Sequence, residues 1–428
     1  MNIKIATFSF VAVLIFLPLT ASATDLITGG GSLSASALVG DNFTNTAPSS
    51  RLATDIGLFA GFDPAFSPYQ QASINPNSVF GVFQLNHPSD TASHCQTGGT
   101  TGKRILTGAY GFDADGYCRD YSAVPVGFSG PNGQAAPDLV NSAAPLNQTN
   151  LDDFLSGPRA IRDGLMQVPT LSILIALPIN LGNDIFGMPI SAPDLSQAQI
   201  CEIFSGTATS WDQVNSNWPN QAINVVYRSD GSGASFAFTQ YLASTCNVSQ
   251  TIFVTSEGFN ANSGPISLYA NAIAVSGDKN VVETIANTAW SIGYAGLPNV
   301  LEENLDYATI NGVDPATSSH PPYGLGNLLT GEIIGAVNPI TGLPQTQAVT
   351  GIDPNCVLMI DPAAQLTGAY PIAAVTNLLA YTDNNTDLQA LEDLVDTVIN
   401  GSGILPTGVA SLAAVGATTS ATATSCIN

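Results

Sequence analysis

An apolar run ends in an arginine at Val225-Val226-Tyr227-Arg228, and a Ser/Gly loop follows as Ser229-Asp230-Gly231-Ser232-Gly233-Ala234. Beyond it, Ser235 to Leu242 reads as a helix. Backbone N–H groups and a hydroxyl at a helix N-terminus, beside a guanidinium, make an oxyanion site. Arg228 is the fork-shaped donor that suits a tetrahedral anion, and Asp230 is the carboxylate that would hold it in place. Catalysis has much less behind it. The chain has no G-x-S-x-G, no histidine partnering a nucleophile, and an acidic pair at Glu302-Glu303 that reads as a solvated turn.

These groups need elements to hold them. Apolar runs at Ser172 to Leu177 and Ile223 to Val226 predict buried strands, while Ser196 to Phe204 and Ser235 to Leu242 predict helices with Ser/Asp caps. The alternation predicts an α/β fold of doubly wound lobes. About 405 residues beyond the N-terminal leader exceed one ordinary core, so two lobes are expected. No internal repeat or heptad pattern is present. Residues 41–94, with Phe62-Asp63-Pro64-Ala65-Phe66, and residues 112–138, rich in Gly, Pro and Asp, read as surface elaborations of the 41–138 region. The Ala/Thr/Ser tail at 408–425 has little to order it except the cysteine that ends it, Cys426.

Residues 1–23 have the form of a secretory signal: Lys4, an apolar core from Ala6 to Leu19, and Ala21-Ser22-Ala23 as cleavage site. The mature chain would start at Thr24, with no cysteine there for a lipid anchor, and no later run is long enough to span a bilayer. A periplasmic or secreted protein is expected. Without Lys4, 8 basic residues face 32 acidic ones, a net charge of about −24. That charge argues against nucleic acid and anionic membranes as partners, and leaves an anion to be held by local dipoles and one or two arginines. Six cysteines (95, 118, 201, 246, 356 and 426) in an exported chain favour disulfides; fifteen pairings are open. With no C-x-x-C and with His87, His94 and His320 scattered, no metal site and no cofactor are expected. Gly98-Gly99-Thr100-Thr101-Gly102-Lys103 lacks the first glycine and the closing Ser/Thr of a Walker A loop, and its exported setting rules out ATP.

The Arg228 stretch resembles the anion-gripping segment of the periplasmic phosphate-binding proteins of ABC transporters, most closely their DING-type branch. Four further segments are similar and in family order. They are Asp25-Leu26-Ile27-Thr28-Gly29-Gly30-Gly31-Ser32-Leu33-Ser34; Leu195 to Gly206 with Ser210-Trp211-Asp212; Val281 to Tyr294; and Tyr370-Pro371-Ile372 with Thr376-Asn377-Leu378. The resemblance implies a type II periplasmic-binding-protein clamshell, each lobe a doubly wound mixed sheet. It places one lobe at 24–180 and 299–428, the other at 181–298, with the ligand between them. It implies disulfides Cys201–Cys246 and Cys356–Cys426, with Cys95–Cys118 as an extra bridge in the elaborated region.

The implied phosphate ligands are Ser32, Leu33, Ser142, Arg228, Ser232, Gly233 and Ala234, with Asp230 orienting the arginine. Three positions depart from the family. Ala234 replaces a threonine; Leu33 stands where a threonine is expected, with Ser32 or Ser34 as substitutes; and Ser142-Ala143 replaces a Ser-Asp whose carboxylate accepts a hydrogen bond from protonated phosphate and so excludes fully ionised sulfate. Asp138 is a distant substitute. The family's remaining serine falls near Gly99 or Thr100. Three lost ligands at about 1.5–3 kcal/mol each would turn tight binding into weak binding unless replaced. The function implied is capture of phosphate or a related oxyanion for an ABC permease. The alternative is a non-transport surface scaffold or adhesion protein that keeps the fold.

Overall fold

The computed structural model describes residues 25–428 except 41–49, 53–71, 74, 76, 89, 97–98, 109–116, 120–124, 128–136, 158, 161, 184–186, 248–252, 260–264, 365–367 and 386. The leader at 1–23, most of the 41–138 elaboration and the side chains of Cys95 and Cys118 therefore lie outside the described residues. The elements that matter for the site begin with β1 (Asp25–Gly30), α1 (Ser32–Val39), β2 (Thr91–Gln96), α2 (Gly99–Thr107), β3 (Leu139–Ser142) and β4 (Leu165–Asn180). They continue with α3 (Gln197–Phe204), β5 (Asn224–Arg228), α4 (Gly233–Cys246), β6 (Asn271–Val275), α5 (Asp278–Asn287), β7 (Ser291–Ile292), β8 (Ala373–Tyr381), α6 (Leu388–Ile399) and α7 (Ala413–Cys426).

One strand organises the molecule. β4 runs 16 residues, roughly 50 Å, and is buried on both faces to its penultimate residue. Its sequence explains this: a near-continuous apolar run with no alternation is what a strand covered on both sides requires. From Leu165 to Leu174 it pairs antiparallel with β8; from Ile175 onward its partners are Gly296, Ala295, Tyr307–Ala308 and β7. The sheet order is β6-β5-β7-β4-β8-β3-β1-β2, so β4 joins two half-sheets. Within each half the site-bearing strands are parallel: β1 with β2 and β3, β5 with β6 and β7. Their carboxyl ends open on the same cleft, the usual place for a ligand in an open α/β sheet.

Helix α4 is buried on most of its faces along nearly its whole length, with Ser232 as N-cap. It therefore packs inside the molecule rather than on its surface. Its end is tied to α3 by Cys201–Cys246, with a Cα–Cα distance of 5.5 Å. Cys356–Cys426 ties the turn Pro354–Cys356 to the end of α7. The tail is pinned at Cys426 as expected, and is ordered by more than that bridge. Val409–Ser411 adds a strand to β4, and α7 packs Val415, Thr419 and Ala423 inward, so the small residues that make it a poor isolated helix let it lie close to the core. Among the described residues no helix is long and apolar enough to cross a membrane.

Candidate anion site

The site is assembled by two strand–loop–helix units, one from each half-sheet. In the first, β1 ends at Gly30 and α1 starts at Ser32. Gly30 has φ +136°, and a Cβ there would stand 2.0 Å from the Asn141 carbonyl oxygen, so only glycine lets β1 and β3 run together at this point. In the second, β5 buries Val225 and Val226, delivers Arg228, and turns into α4 through Ser229–Ser232. Gly233 is the meeting point: a Cβ there would come within 2.2 Å of the Ala143 Cβ. A small cavity of about 10 Å³ lies between the units, lined by Gly31, Ser32, Leu33, Ser34, Gly99, Asn141, Ala143, Arg228, Ser232 and Gly233. That is room for about one water.

Arg228 is 1% exposed and its guanidinium is held on two sides. Nε and Nη2 donate to the two oxygens of Asp230 at 2.6 and 2.5 Å, the bidentate geometry that fixes a guanidinium plane. Nη1 donates to Asp278 Oδ2 at 2.8 Å. Asp278, the first residue of α5, has no exposed surface. It also accepts from Ser32 Oγ at 2.7 Å and from the Gly296 N–H at 3.3 Å. Tyr294 supports the strand beneath, accepting from the Arg228 N–H at 3.2 Å and sharing a hydrogen bond with Ser235 Oγ at 2.8 Å. Burial pushes its phenol well above the ordinary tyrosine range, outweighing the hydrogen bonds to Ser235 and Arg228, so it stays neutral.

A second ion pair, Lys103 with the partly buried Glu257, lies next to the site, where the Glu257 carbonyl accepts the Ser232 N–H. Lys103, fully buried on α2, donates to Pro145 O at 3.0 Å and to Glu257 Oε1 at 2.5 Å. Thr100 Oγ1 donates to the other Glu257 oxygen. Gly99 to Lys103 of the Gly98–Lys103 motif thus form the start of a helix whose lysine is ion-paired with Glu257. Arg228 and Lys103 against Asp230, Asp278 and Glu257 leave the neighbourhood one negative charge in excess.

The structure brings together Ser32, Leu33, Arg228, Ser232 and Gly233, with Asp230 on the arginine. Two of the expected donors are already engaged. The Ser232 N–H donates to Glu257 O at 2.7 Å, and the Ala234 N–H donates to Ser232 Oγ at 3.0 Å as a helix cap. Ser142 is buried beside the cavity, but its hydroxyl donates to Ala144 O at 2.9 Å within its own turn. Ser34 donates to Asn141 Oδ1 at 2.6 Å. Asp138 precedes β3 at the end away from the cavity and acts electrostatically on Tyr381. Asp278, Glu257 and Asn141 were not singled out from the sequence. Asp278 had a signal, an acidic residue opening a helix just after a parallel strand; Glu257 had none.

A family profile described as a PBP superfamily domain matches residues 129–400, well over half of the chain. The chain belongs to the PBP superfamily. Alkaline phosphatase L of Pseudomonas aeruginosa is 28% identical over 260 residues, 56% of this PBP-superfamily chain and 60% of the relative. A phosphate-binding protein from an unknown prokaryotic organism is 28% identical over 182 residues, covering 42% and 45%. The chain thus spans 60% or less of the length of these curated relatives. Among solved structures, a high-affinity periplasmic phosphate-binding protein of the DING type, bound with phosphate, matches with TM-score 0.56 at 21% identity over 93% of both chains. The phosphate-binding protein from Stenotrophomonas maltophilia gives 0.52 at 20% identity over 94% and 90%. The two-lobed type II fold expected from the resemblance is therefore the fold of this PBP-superfamily member.

Proposed function

We propose that this chain is an exported solute-binding protein that captures a tetrahedral oxyanion, inorganic phosphate foremost, between its two lobes and hands it to an ABC permease. The lobes would be 24–180 with 299–428, and 181–298. The observation that carries the reading is Arg228: a guanidinium buried to 1% exposure, locked by Asp230, at the mouth of a capped helix start and facing Ser32 from the opposite half-sheet. A buried guanidinium aimed at a cleft between two helix N-termini is a preorganised anion donor. The phosphate named for the relatives and solved neighbours supports the same ligand.

Catalysis is not proposed, although one relative is named a phosphatase. The Ser32 hydroxyl donates to Asp278, but that carboxylate is already bound to Arg228 and the Gly296 N–H, which makes it an ion-pair partner rather than a free base. A second reading, the surface scaffold without tight anion binding, has the engaged Ser232 and Ala234 N–H groups in its favour. Calorimetric titration of the ligand-stripped protein with phosphate separates the two. Micromolar or tighter binding, abolished in Arg228→Ala, is the expected result; no heat with phosphate, arsenate or sulfate would leave the scaffold reading standing.

A further inference from the structure

Asn141 is the penultimate residue of β3 and is 2% exposed. Its backbone carbonyl accepts the Gly31 N–H at 3.0 Å, which ties it to the loop opening α1. Its side-chain oxygen accepts from Ser34 Oγ at 2.6 Å, so the amide is oriented by a hydroxyl on the neighbouring helix. With Oδ1 committed, the amide nitrogen Nδ2 is buried without a hydrogen-bond partner. Asn141 lines the same cavity as Ser32, Arg228, Ser232 and Gly233. A buried N–H₂ with nothing to donate to is costly, and native proteins keep such groups where a ligand supplies the missing acceptor.

We propose that Asn141 Nδ2 is a direct donor to the bound oxyanion, making a neutral side-chain amide part of the recognition set. The inference rests on the oxyanion reading and deepens it. An amide N–H offers hydrogen and accepts none, so it favours an ionised oxygen at that position over a protonated one. The contact adds a donor where Ser142 is turned away and Ala143 brings no polar side chain. The ligand class that follows is a tetrahedral anion whose oxygen facing β3 is unprotonated, which admits sulfate alongside phosphate.

The test is calorimetry with inorganic phosphate and with sulfate on the wild-type chain, Arg228→Ala, Asn141→Ala and Asn141→Asp, with thermal unfolding of each anion-free protein. Asn141→Ala should bind phosphate about 10- to 100-fold more weakly. Its anion-free unfolding temperature should stay level or rise, because the unsatisfied donor has gone. Asn141→Asp keeps the acceptor for Ser34 but sets a carboxylate oxygen where Nδ2 stood; it should lose both anions near neutral pH and regain phosphate on acidification. Asn141 variants that bind like wild type, while Arg228→Ala does not bind, would overturn this inference and leave the oxyanion reading intact. A lowered unfolding temperature without a change in affinity would make Asn141 a structural residue only. Absence of binding by the wild type would overturn both.

Discussion

At the residue scale, the central question is what Asp278 does to an anion. Its carboxylate takes two donors, Ser32 Oγ and Arg228 Nη1, that an oxyanion in the same cavity would need. It is wholly buried, so its charge is screened by little water. Asp230 already neutralises Arg228 through two hydrogen bonds, which leaves Asp278 as the excess negative charge of the site. Asp278→Asn should therefore move two observables in opposite directions. Phosphate affinity should rise by about tenfold or more as a repulsive charge leaves. Anion-free stability should fall by about 1–3 kcal/mol as charge-assisted hydrogen bonds weaken. Titration calorimetry and denaturant unfolding read the two quantities separately; a fall in both would show that Asp278 chiefly holds Arg228 in place. The Arg228–Asp230 pair was legible because its partners are two residues apart in one loop. Asp278 and Asn141 were not, because their importance comes from contacts made 50 and 107 residues away in sequence.

At the element scale, the unit that matters is α4, since its start forms half of the site. Sequence periodicity finds it but bounds it at Ser235 to Leu242; the helix runs Gly233–Cys246, because Ser232 caps the Ala234 N–H and brings the first turn forward. Strand β4 shows the opposite limit. Its apolar run reads as a buried strand, yet nothing local says that it continues for 16 residues and changes partners at Leu174–Ile175. Partner choice is tertiary information. The far end of α4 is fixed to α3 by Cys201–Cys246, which closes a segment with a sequence separation of 45 and so constrains the loop carrying Arg228. Chain-entropy reasoning gives that closure a stabilisation of about 4 kcal/mol. The double variant Cys201→Ser with Cys246→Ser should lower the unfolding free energy by up to that amount and weaken phosphate binding, because α4 and β5 then place Ser232 and Arg228 less firmly. Denaturant melts with and without phosphate check it. Unchanged stability would mean that packing of Phe204 on Phe238, with ring centroids 4.7 Å apart, already fixes the two helices.

At the scale of the whole molecule, the chain has few charges and many buried aromatics, and its response to pH follows from that. Burial is the leading cause that raises the phenols of Tyr241, Tyr323 and Tyr381 to about 12, against an ordinary value near 10. The folded state therefore holds these protons after the unfolded state has released them. The stability they contribute is complete below about pH 10 and is lost as pH rises toward 12, at about 1.4 kcal/mol per pH unit for each phenol. Three such groups give a slope of about 4 kcal/mol per unit, steep enough to exhaust the stability of an ordinary domain within that window. Tyr241 lies on α4 and Tyr381 on β8, so their ionisation strikes both half-sheets and the transition should be cooperative. The expected result is one alkaline transition between about pH 10 and 12, in which phenolate absorbance and loss of far-ultraviolet ellipticity move together. If all 12 tyrosines instead titrated near pH 10 with the ellipticity intact, these phenols would be accessible in the folded chain, and the packing of α4 against β8 would be looser than the structure shows.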